Sequence, residues 1–170
     1  MLLSFRFANH RSFRDEQQLN LLPVYGDDDA GSWNAVPVAG IFGANASGKS
    51  NVINAFEYMS RMVGQSDRES EPGQGPRRQP FRLDRETAAQ PSSYAADLVI
   101  GDVRHTYGFT IADQGVVSEW LYAYPLRRKR VVFERNGQEF DWGEESARSS
   151  VRKLADIVAP TALFLSVAAR

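Results

Sequence analysis

Cysteine is absent from the 170-residue chain, and histidine and lysine are scarce. Without cysteine the chain cannot form a disulfide framework, a thiolate zinc site, a cysteine nucleophile or an iron–sulfur cluster. The two histidines, His10 and His105, are too far apart in the sequence to indicate a histidine metal centre. The only lysines are Lys49, Lys129 and Lys153, so each one is a conspicuous feature of the sequence.

The chain also has little net charge and no long hydrophobic segment. Its 20 basic and 21 acidic side chains give a formal net charge of -1, which argues against a strongly basic nucleic-acid coat protein. No apolar run approaches the roughly 20 residues that a membrane span needs. The N-terminus begins Met-Leu-Leu-Ser-Phe-Arg-Phe, so polar residues interrupt the apolar ones from Ser4 onwards, which is not typical of a signal peptide. These properties predict a cytoplasmic protein without a membrane partner, built as one domain or one and part of another.

The first 42 residues contain three candidate strands. Leu2–Ala8 alternates apolar and polar side chains, the period of a strand, and Gln17–Leu22 is a weaker candidate that ends before a proline. Gly26–Asn34 is rich in aspartate and predicts a loop. Val36–Phe42 is apolar without alternation, which predicts a strand buried on both faces.

A helix and a linker are predicted next. Apolar residues recur at helical spacing over Lys49–Val63, and Gly64 is placed to end that helix. Residues 64–80 are rich in glycine and proline with almost no apolar side chain, which predicts a flexible linker or a long surface loop.

The second half of the chain changes to the two-residue period of β-strands. Two turn signals, Gly101-Asp102 and Asn136-Gly137, separate neighbouring strands and predict hairpins. The sequence therefore predicts an antiparallel meander. Its candidate strands are Tyr94–Ile100, Val103–Ile111, Val116–Tyr124, Val131–Arg135 and Gln138–Trp142.

Two helices are predicted at the end of the chain. Ser146–Ile157 has helical spacing, and Pro160 could open a second helix that continues over Thr161–Arg170.

One motif carries chemistry. The segment Gly43–Ser50 fits G-x-x-x-x-G-K-[ST], the P-loop, between the apolar run and the amphipathic helix. Glycines let successive backbone N–H groups point into one concavity, and the positive end of the helix dipole faces the same phosphates. Lys49 can reach the β- and γ-phosphates, and the Ser50 hydroxyl can ligate Mg²⁺. ATP and Mg²⁺ are therefore the predicted cofactors, with Lys49 as the catalytic candidate.

Hydrolytic chemistry is not visible in the sequence. Hydrolysis also needs a carboxylate that follows a second apolar strand and a group that orients water. The nearest candidates are Asp102, which lies in a predicted hairpin turn, and Asp156, which follows a predicted helical segment. No segment resembles the ABC signature L-S-G-G-Q.

Two motifs in this order resemble a known family. The segments Asn9–Phe13 and Gly43–Asn51 resemble the N-terminal end of the SMC/RecF/OLD-type ABC ATPases, which share an N-F-R-S-F-like segment and a G-x-N-x-S-G-K-S-N loop. Val116–Tyr122 and Ala162–Ser166 resemble the bacterial "AAA family ATPase" branch, whose members often act in antiphage defence and beside nucleases.

This resemblance implies an α/β P-loop NTPase fold, the N-terminal portion of an ABC-type head with an antiparallel β-subdomain. The implied divisions are 1–63 for the ATP-binding lobe, 64–80 for the linker, 81–145 for the β-subdomain and 146–170 for a helical segment. The remainder of the head, with its Walker B acids, signature segment, D-loop and switch histidine, lies beyond residue 170 in relatives.

The resemblance also implies a homodimer that sandwiches two ATP molecules and hydrolyses them as a full-length protein, with an effector nuclease or toxin subunit as a partner. Arg11 and Ser12 are implied to contact the nucleotide, and Asn45 to lie near the γ-phosphate. Ala46 departs from the family, since many members have glycine there. Neither Gln114 nor Gln138 fits the Mg²⁺-sensing glutamine. The implied binding residues are Gly43, Ala44, Asn45, Ala46, Ser47, Gly48, Lys49, Ser50, Asn51, Arg11 and Ser12.

Alternatives remain open. The basic cluster Arg127, Arg128, Lys129 and Arg130 could contact a DNA backbone, but a solvated turn between strands explains it more simply. The biological role could be DNA repair or recombination rather than antiphage defence. A β-rich scaffold or regulatory module with a vestigial P-loop is the alternative from another class. A small P-loop kinase or GTPase is disfavoured because the strands after the P-loop are antiparallel.

Overall fold

The computed structural model describes residues 1–23, 35–69, 74–143 and 149–169. Within these residues a 3₁₀ turn, Pro125–Arg127, joins the fifth and sixth strands. The strands are β1 Leu2–Ala8, β2 Gln17–Asn20, β3 Ser92–Ile100, β4 Val103–Ala112, β5 Gly115–Tyr124, β6 Arg130–Asn136 and β7 Glu139–Trp142. The helices are α1 Lys49–Glu69, α2 Arg85–Ala89, α3 Ser149–Ala155 and α4 Phe164–Ala168.

The strands form one antiparallel sheet in the order β2-β1-β3-β4-β5-β6-β7. The predicted meander is confirmed over β3 to β7, where each strand pairs with the next along the chain. The N-terminal strand β1 joins it by pairing with β3, which brings Phe7 opposite Tyr94. Residues that are far apart in the sequence therefore share one sheet.

The hairpin turns follow local backbone chemistry. Gly101 and Asp102 have φ of 54° and 62°, the left-handed pair that a tight two-residue turn requires. In the β6–β7 hairpin, Asn136 pairs with Glu139, so the turn residues are Gly137 and Gln138. The predicted turn Asn136-Gly137 is therefore wrong by one position.

Helix α1 covers one face of the sheet and buries an aromatic core. Tyr58 of α1 lies 5.0 Å from Tyr94 of β3 between ring centroids, and Phe56 meets Phe5 of β1 edge to face at 5.3 Å. Since strand side chains alternate between faces, the large apolar residues collect on this side. The buried cluster includes Phe5, Phe7, Ala55, Tyr58, Met59, Met62, Tyr94, Tyr107, Phe109, Ile111, Phe133, Leu163 and Phe164.

A buried carboxylate lies on the same face of the sheet. Glu119 of β5 accepts hydrogen bonds from the backbone N–H groups of Phe164 at 2.7 Å and Leu165 at 3.0 Å, and from the Tyr107 hydroxyl at 2.9 Å. It therefore caps α4, whose own N-cap residue makes no side-chain cap. Burial raises the pKa of Glu119, and these hydrogen bonds and the charge of Arg135 oppose that rise.

Arg135 of β6 completes the arrangement. It pairs with Glu119 across the sheet at 3.5 Å, and both side chains are fully buried. The guanidinium also donates to the carbonyl oxygens of Ala162 and Gly137, each at 2.7 Å. The pair thus ties the segment before α4 to the middle of the sheet.

Three predicted boundaries in the first half of the chain are corrected. The predicted strand over Val36–Phe42 is wrong: no residue there is in a strand, and Val38 and Phe42 are 82% and 93% exposed. A strand needs a hydrogen-bonded neighbour, and within the described ranges only Val36 finds one, donating to the Leu21 carbonyl at 2.8 Å. Strand β2 ends at Asn20, whose side chain accepts the N–H of Leu22.

The predicted end of α1 is also wrong. The helix continues through Gly64 to Glu69, so the first residues of the predicted linker are helical. Ser66 and Asp67 explain the extension, because both engage the α4 segment: the Leu163 N–H donates to Ser66 Oγ, and Ser166 Oγ donates to Asp67. Tertiary contacts therefore outweigh the helix-ending tendency of one glycine.

The C-terminal helices are shorter than predicted. Helix α3 spans Ser149–Ala155, and α4 begins at Phe164 rather than at Pro160. The Pro160 carbonyl accepts the N–H of Val116, which fixes it against β5 instead of opening a helix. The predicted loop Gly26–Asn34 and the first residues of the predicted helix, 146–148, lie outside the described residues.

We expect Glu119→Ala to lower the free energy of unfolding by about 3–5 kcal/mol, since it leaves Arg135 buried without its counter-charge and α4 without a cap. Denaturant unfolding measures the change. Glu139→Ala, which removes an exposed glutamate of β7, serves as the control and should change stability by less than about 0.5 kcal/mol. Equal effects of the two substitutions would contradict the structural role of the buried pair.

Gly64→Ala is expected to stabilise the protein by about 0.5–1 kcal/mol, because glycine inside a helix is less favourable than alanine. A Cβ at position 64 meets no atom within 4 Å, so nothing opposes the gain. The melting temperature is the measurement. A decrease would show that the helix ends near residue 64, as the sequence pattern predicted.

Candidate nucleotide-binding site

The loop Gly43–Ser50 has the backbone that a phosphate cradle requires. Ala46 and Gly48 have φ of 63° and 92°, so the loop adopts left-handed backbone at two positions before α1 begins at Lys49. The left-handed conformation costs an alanine roughly 1–2 kcal/mol, which explains why glycine suits this position. The loop leads into the N-terminus of a 21-residue helix, whose unpaired N–H groups attract anions.

Lys49 closes over this loop. Its Nζ donates to the carbonyl oxygens of Gly43 at 2.8 Å and Ala44 at 2.6 Å, which holds the ammonium group at the mouth of the loop. A surface depression of about 380 Å³ lies beside it, lined by residues 46–51. A compact positive charge, a helix N-terminus and an open depression together fit a phosphate group.

The turn after β1 lies against the start of α1. A Cβ on Gly48 would lie 2.8 Å from the ring of Phe13 and 2.9 Å from Ser12 Oγ, so only glycine allows this close approach. Asn51 Nδ2 donates to Ser12 Oγ at 2.8 Å, and Arg11 Nη1 donates to Asn51 Oδ1 at 3.3 Å. The structure thus brings Arg11 and Ser12 to the P-loop helix, although about 40 residues separate them in the chain.

His10 connects this turn to the sheet and to α1. It is fully buried, with Nδ1 at 2.8 Å from the Tyr94 hydroxyl and Nε2 at 3.0 Å from Asn54 Oδ1. Because an amide oxygen only accepts, the assigned geometry fits a neutral imidazole that donates from Nε2 and accepts at Nδ1. Burial lowers the pKa of His10; the hydrogen bond to Asn54 opposes this and the nearby Arg11 charge adds to it.

The sequence predicted the P-loop but not the residues that fix the turn against it. Neither His10 nor Asn54 was assigned a role at the site. A signal was present, since Asn54 follows Asn51 by three residues and therefore shares its helix face. The remaining residues with predicted roles, Asn45 and Ser50, are exposed on the loop and at the start of α1.

The one predicted protein ligand of Mg²⁺ is the Ser50 hydroxyl, which is exposed at the start of α1. Within the described residues no group of three or more His, Asp or Glu side chains is arranged to hold a metal ion. One hydroxyl with water and phosphate oxygens is a usual way for proteins to hold Mg²⁺ alongside a nucleotide. The residues present therefore fit Mg²⁺ only together with a bound phosphate group.

The basic cluster Arg127–Arg130 lies where β5 leads into β6: its first three residues are on the connection, and Arg130 is the first residue of β6. Leu126 and Arg127 have φ of 52° and 60°, and all four basic side chains are exposed. Lys129 Nζ lies 3.5 Å from the ring centroid of Tyr122, a cation–π contact that occupies this charge. The DNA-contact prediction for this cluster stays a prediction.

The loop, the lysine and the following helix define the chain as a P-loop nucleotide-binding protein. It belongs to the family described as "AAA domain, putative AbiEii toxin, Type IV TA system", which matches residues 38–152, about two thirds of the 170 residues. The match includes the P-loop, α1 and the meander, and it supports a P-loop ATPase domain. No curated protein and no solved structure shows a significant match. Among the helices of the described residues, none has the length and apolar character to cross a membrane.

Acidification should destabilise the fold through His10. Its pKa is about 6.5 in the unfolded chain and lower in the folded one, so between these values the unfolded state binds more protons. Stability contributed by neutral His10 is therefore complete above pH 6.5 and is lost as the pH falls through 6.5 towards the folded-state pKa. Melting temperatures measured between pH 7.5 and 5.5 should fall less steeply for His10→Gln than for the unmodified chain.

His105→Gln provides the matched control for this pH profile, since His105 lies on β4 away from the turn after β1. This variant should keep the steep profile of the unmodified chain. The interpretation is wrong if His10→Gln and His105→Gln have the same slope.

Proposed function

We propose that this chain binds ATP·Mg²⁺ through Gly43–Ser50 as the P-loop side of an ABC-type ATPase head. The observation that carries the proposal is the junction at the start of α1, where Arg11 and Ser12 meet Asn51 beside Gly48. The family match to an AAA domain supports nucleotide binding, and domains of this kind generally bind ATP with Mg²⁺. The SMC/RecF/OLD-like architecture rests on the order of the two motifs.

Each residue of the site has a chemical role in this proposal. Backbone N–H groups of the loop and of the first turn of α1 donate to phosphate oxygens, and the Lys49 ammonium neutralises their charge. The Ser50 hydroxyl ligates Mg²⁺, which would neutralise further phosphate charge when bound. Arg11 brings a second cation to the same helix end. The chain supplies binding and orientation of the phosphates by these contacts.

We expect nucleotide binding without turnover from this chain. No apolar strand in the sequence leads to a carboxylate that could hold Mg²⁺ opposite the P-loop. In the family that the motifs resemble, hydrolysis occurs between two heads that sandwich ATP, so a homodimer through the ATPase head is part of the proposal.

For the biological role we propose a DNA-linked ATPase of antiphage defence, with an effector nuclease or toxin subunit as partner. The family description names a putative toxin and a toxin–antitoxin system, which favours a defence role over DNA repair or recombination. A DNA contact through Arg127–Arg130 belongs to the same proposal and rests on the exposure and charge of that turn.

Lys49→Ala should weaken ATP binding by about 10- to 100-fold, since charge-assisted hydrogen bonds contribute about 1.5–3 kcal/mol. Titration of a fluorescent ATP analogue in the presence of Mg²⁺, with competition by ATP, measures the affinity. Lys153→Ala removes an exposed lysine of α3 and should leave it unchanged within twofold.

Two outcomes would contradict the proposal. Equal affinities of Lys49→Ala and the unmodified chain would favour the β-rich scaffold with a vestigial P-loop. Sustained phosphate release that Lys49→Ala abolishes would show that the chain completes hydrolysis itself, against the expectation of binding without turnover.

A further inference from the structure

The turn after β1 stores backbone strain beside the P-loop. Asn9 and Arg11 have φ of 52° and 50°, the left-handed region, which asparagine tolerates but an arginine rarely adopts. Reciprocal hydrogen bonds at 2.9 Å join the backbones of His10 and Phe13 and hold the turn in this shape. Such strain persists only where the surroundings fix it, and here it aims the Arg11 side chain towards α1.

Gln79 holds Arg11 at two points. The Arg11 N–H donates to the Gln79 carbonyl at 2.7 Å, and Arg11 Nε donates to Gln79 Oε1 at 2.5 Å. The other end of the guanidinium, Nη1, reaches Asn51 Oδ1 at 3.3 Å. The guanidinium therefore spans the gap between residue 79 and the first turn of α1.

The residues around Gln79 are themselves fixed. The Arg78 side chain is 1% exposed and donates to Asp113 at 2.5 Å, to the Gln90 carbonyl at 2.7 Å and to the Ala88 carbonyl at 2.8 Å. Two residues after Gln79, the Phe81 N–H donates to Asn9 Oδ1 at 2.9 Å. Gln79 thus stands on a segment whose neighbours are hydrogen-bonded to α2 and to the connections beside β1, β3 and β4, although its own side chain is at the surface.

The amide of Gln79 orders Arg11 without neutralising it. In the part of the chain that the structure describes, no carboxylate forms a salt bridge with Arg11. A neutral acceptor lowers the conformational freedom of the side chain and leaves its full positive charge available to an anion at the helix end.

We propose that Gln79 is a positioning residue of the nucleotide site, which holds the Arg11 guanidinium at the N-terminus of α1 so that it meets the phosphates already in place. The proposal rests on the proposed function of Gly43–Ser50. Gln79 does not touch the nucleotide; it acts through Arg11. Because Gln79 lies in the segment first predicted as a linker, this proposal extends the site to a third part of the chain.

A double-mutant cycle on ATP affinity separates positioning from general stabilisation. Arg11→Ala should weaken ATP binding by about tenfold and Gln79→Ala by about three- to tenfold, while the double variant should bind within about twofold of Arg11→Ala. Gln74→Ala, which removes an exposed glutamine of the same segment, is the control and should bind as the unmodified chain does. Effects of Arg11→Ala and Gln79→Ala that multiply would overturn the proposal.

The Gln79→Glu variant separates the effect of holding Arg11 in place from the effect of its positive charge. A carboxylate at position 79 should keep Arg11 in place but neutralise it, so ATP affinity should fall by about threefold or more while the melting temperature stays the same or rises. A purely structural role of Gln79 predicts unchanged affinity for this variant, and that result would overturn the proposal.

A measurement without ligand keeps the two proposals distinguishable. In NMR spectra of the unmodified chain and of Gln79→Glu, the Arg11 Nε–H should exchange slowly with water, and Gln79→Ala should accelerate this exchange by about tenfold or more. Unchanged exchange in Gln79→Ala overturns the positioning role even if ATP binds. If Lys49→Ala binds ATP as well as the unmodified chain, the proposed function fails, and the exchange rates alone decide whether Gln79 orders Arg11.

Discussion

The ion pair between Glu119 and Arg135 is the interaction on which one half of the fold depends. Two fully buried charges are costly unless hydrogen bonds compensate them, and here most of these bonds come from backbone groups of the distant segment 159–165. The carboxylate takes the place of a missing helix cap for α4, and the guanidinium binds carbonyl oxygens before that helix. Apolar packing follows from this anchoring, since Phe164 then reaches Phe133 at 5.0 Å between ring centroids. The polar pair thus sets where the hydrophobic contacts form.

In the other half of the fold, hydrogen bonds connect the sheet to the turn after β1 and to the helix that follows the P-loop. Strand β1 lies between β2 and β3, second from one edge of the sheet, and the turn that follows it starts from a strand that is paired on both sides. His10 bonds to Tyr94 of β3 and to Asn54 of α1, so one buried imidazole joins sheet, turn and helix. The loop itself is mostly exposed, since only Gly48 and Lys49 are half-buried. Its geometry therefore comes from the turn against α1 rather than from a strand before the loop.

Local patterns predicted the features that depend on local chemistry. Alternation identified β1 and the five strands of the meander, and the spacing of Gly43, Gly48, Lys49 and Ser50 identified the loop. Features that depend on the register of strand pairing were not predicted from the sequence. Glu119 and Arg135 are 16 residues apart and meet only because β5 and β6 pair as they do. Arg78 reads as a linker residue in the sequence, but the structure buries it. The strand prediction for Val36–Phe42 was wrong because a strand also needs a hydrogen-bonded neighbour, which hydrophobicity alone does not supply.

Under the proposed function, the hydrogen bonds between Lys49 and the loop have a consequence for selectivity. Its ammonium group already has two carbonyl partners, Gly43 and Ala44, so an incoming anion competes with them rather than meeting a bare charge. A singly charged anion gains little by binding Lys49, because its contact replaces the two hydrogen bonds from Nζ to the Gly43 and Ala44 carbonyls. A chain of linked phosphates carries more charge and engages the helix amides at the same time. Under the proposed function, the lysine therefore favours linked phosphates over singly charged anions.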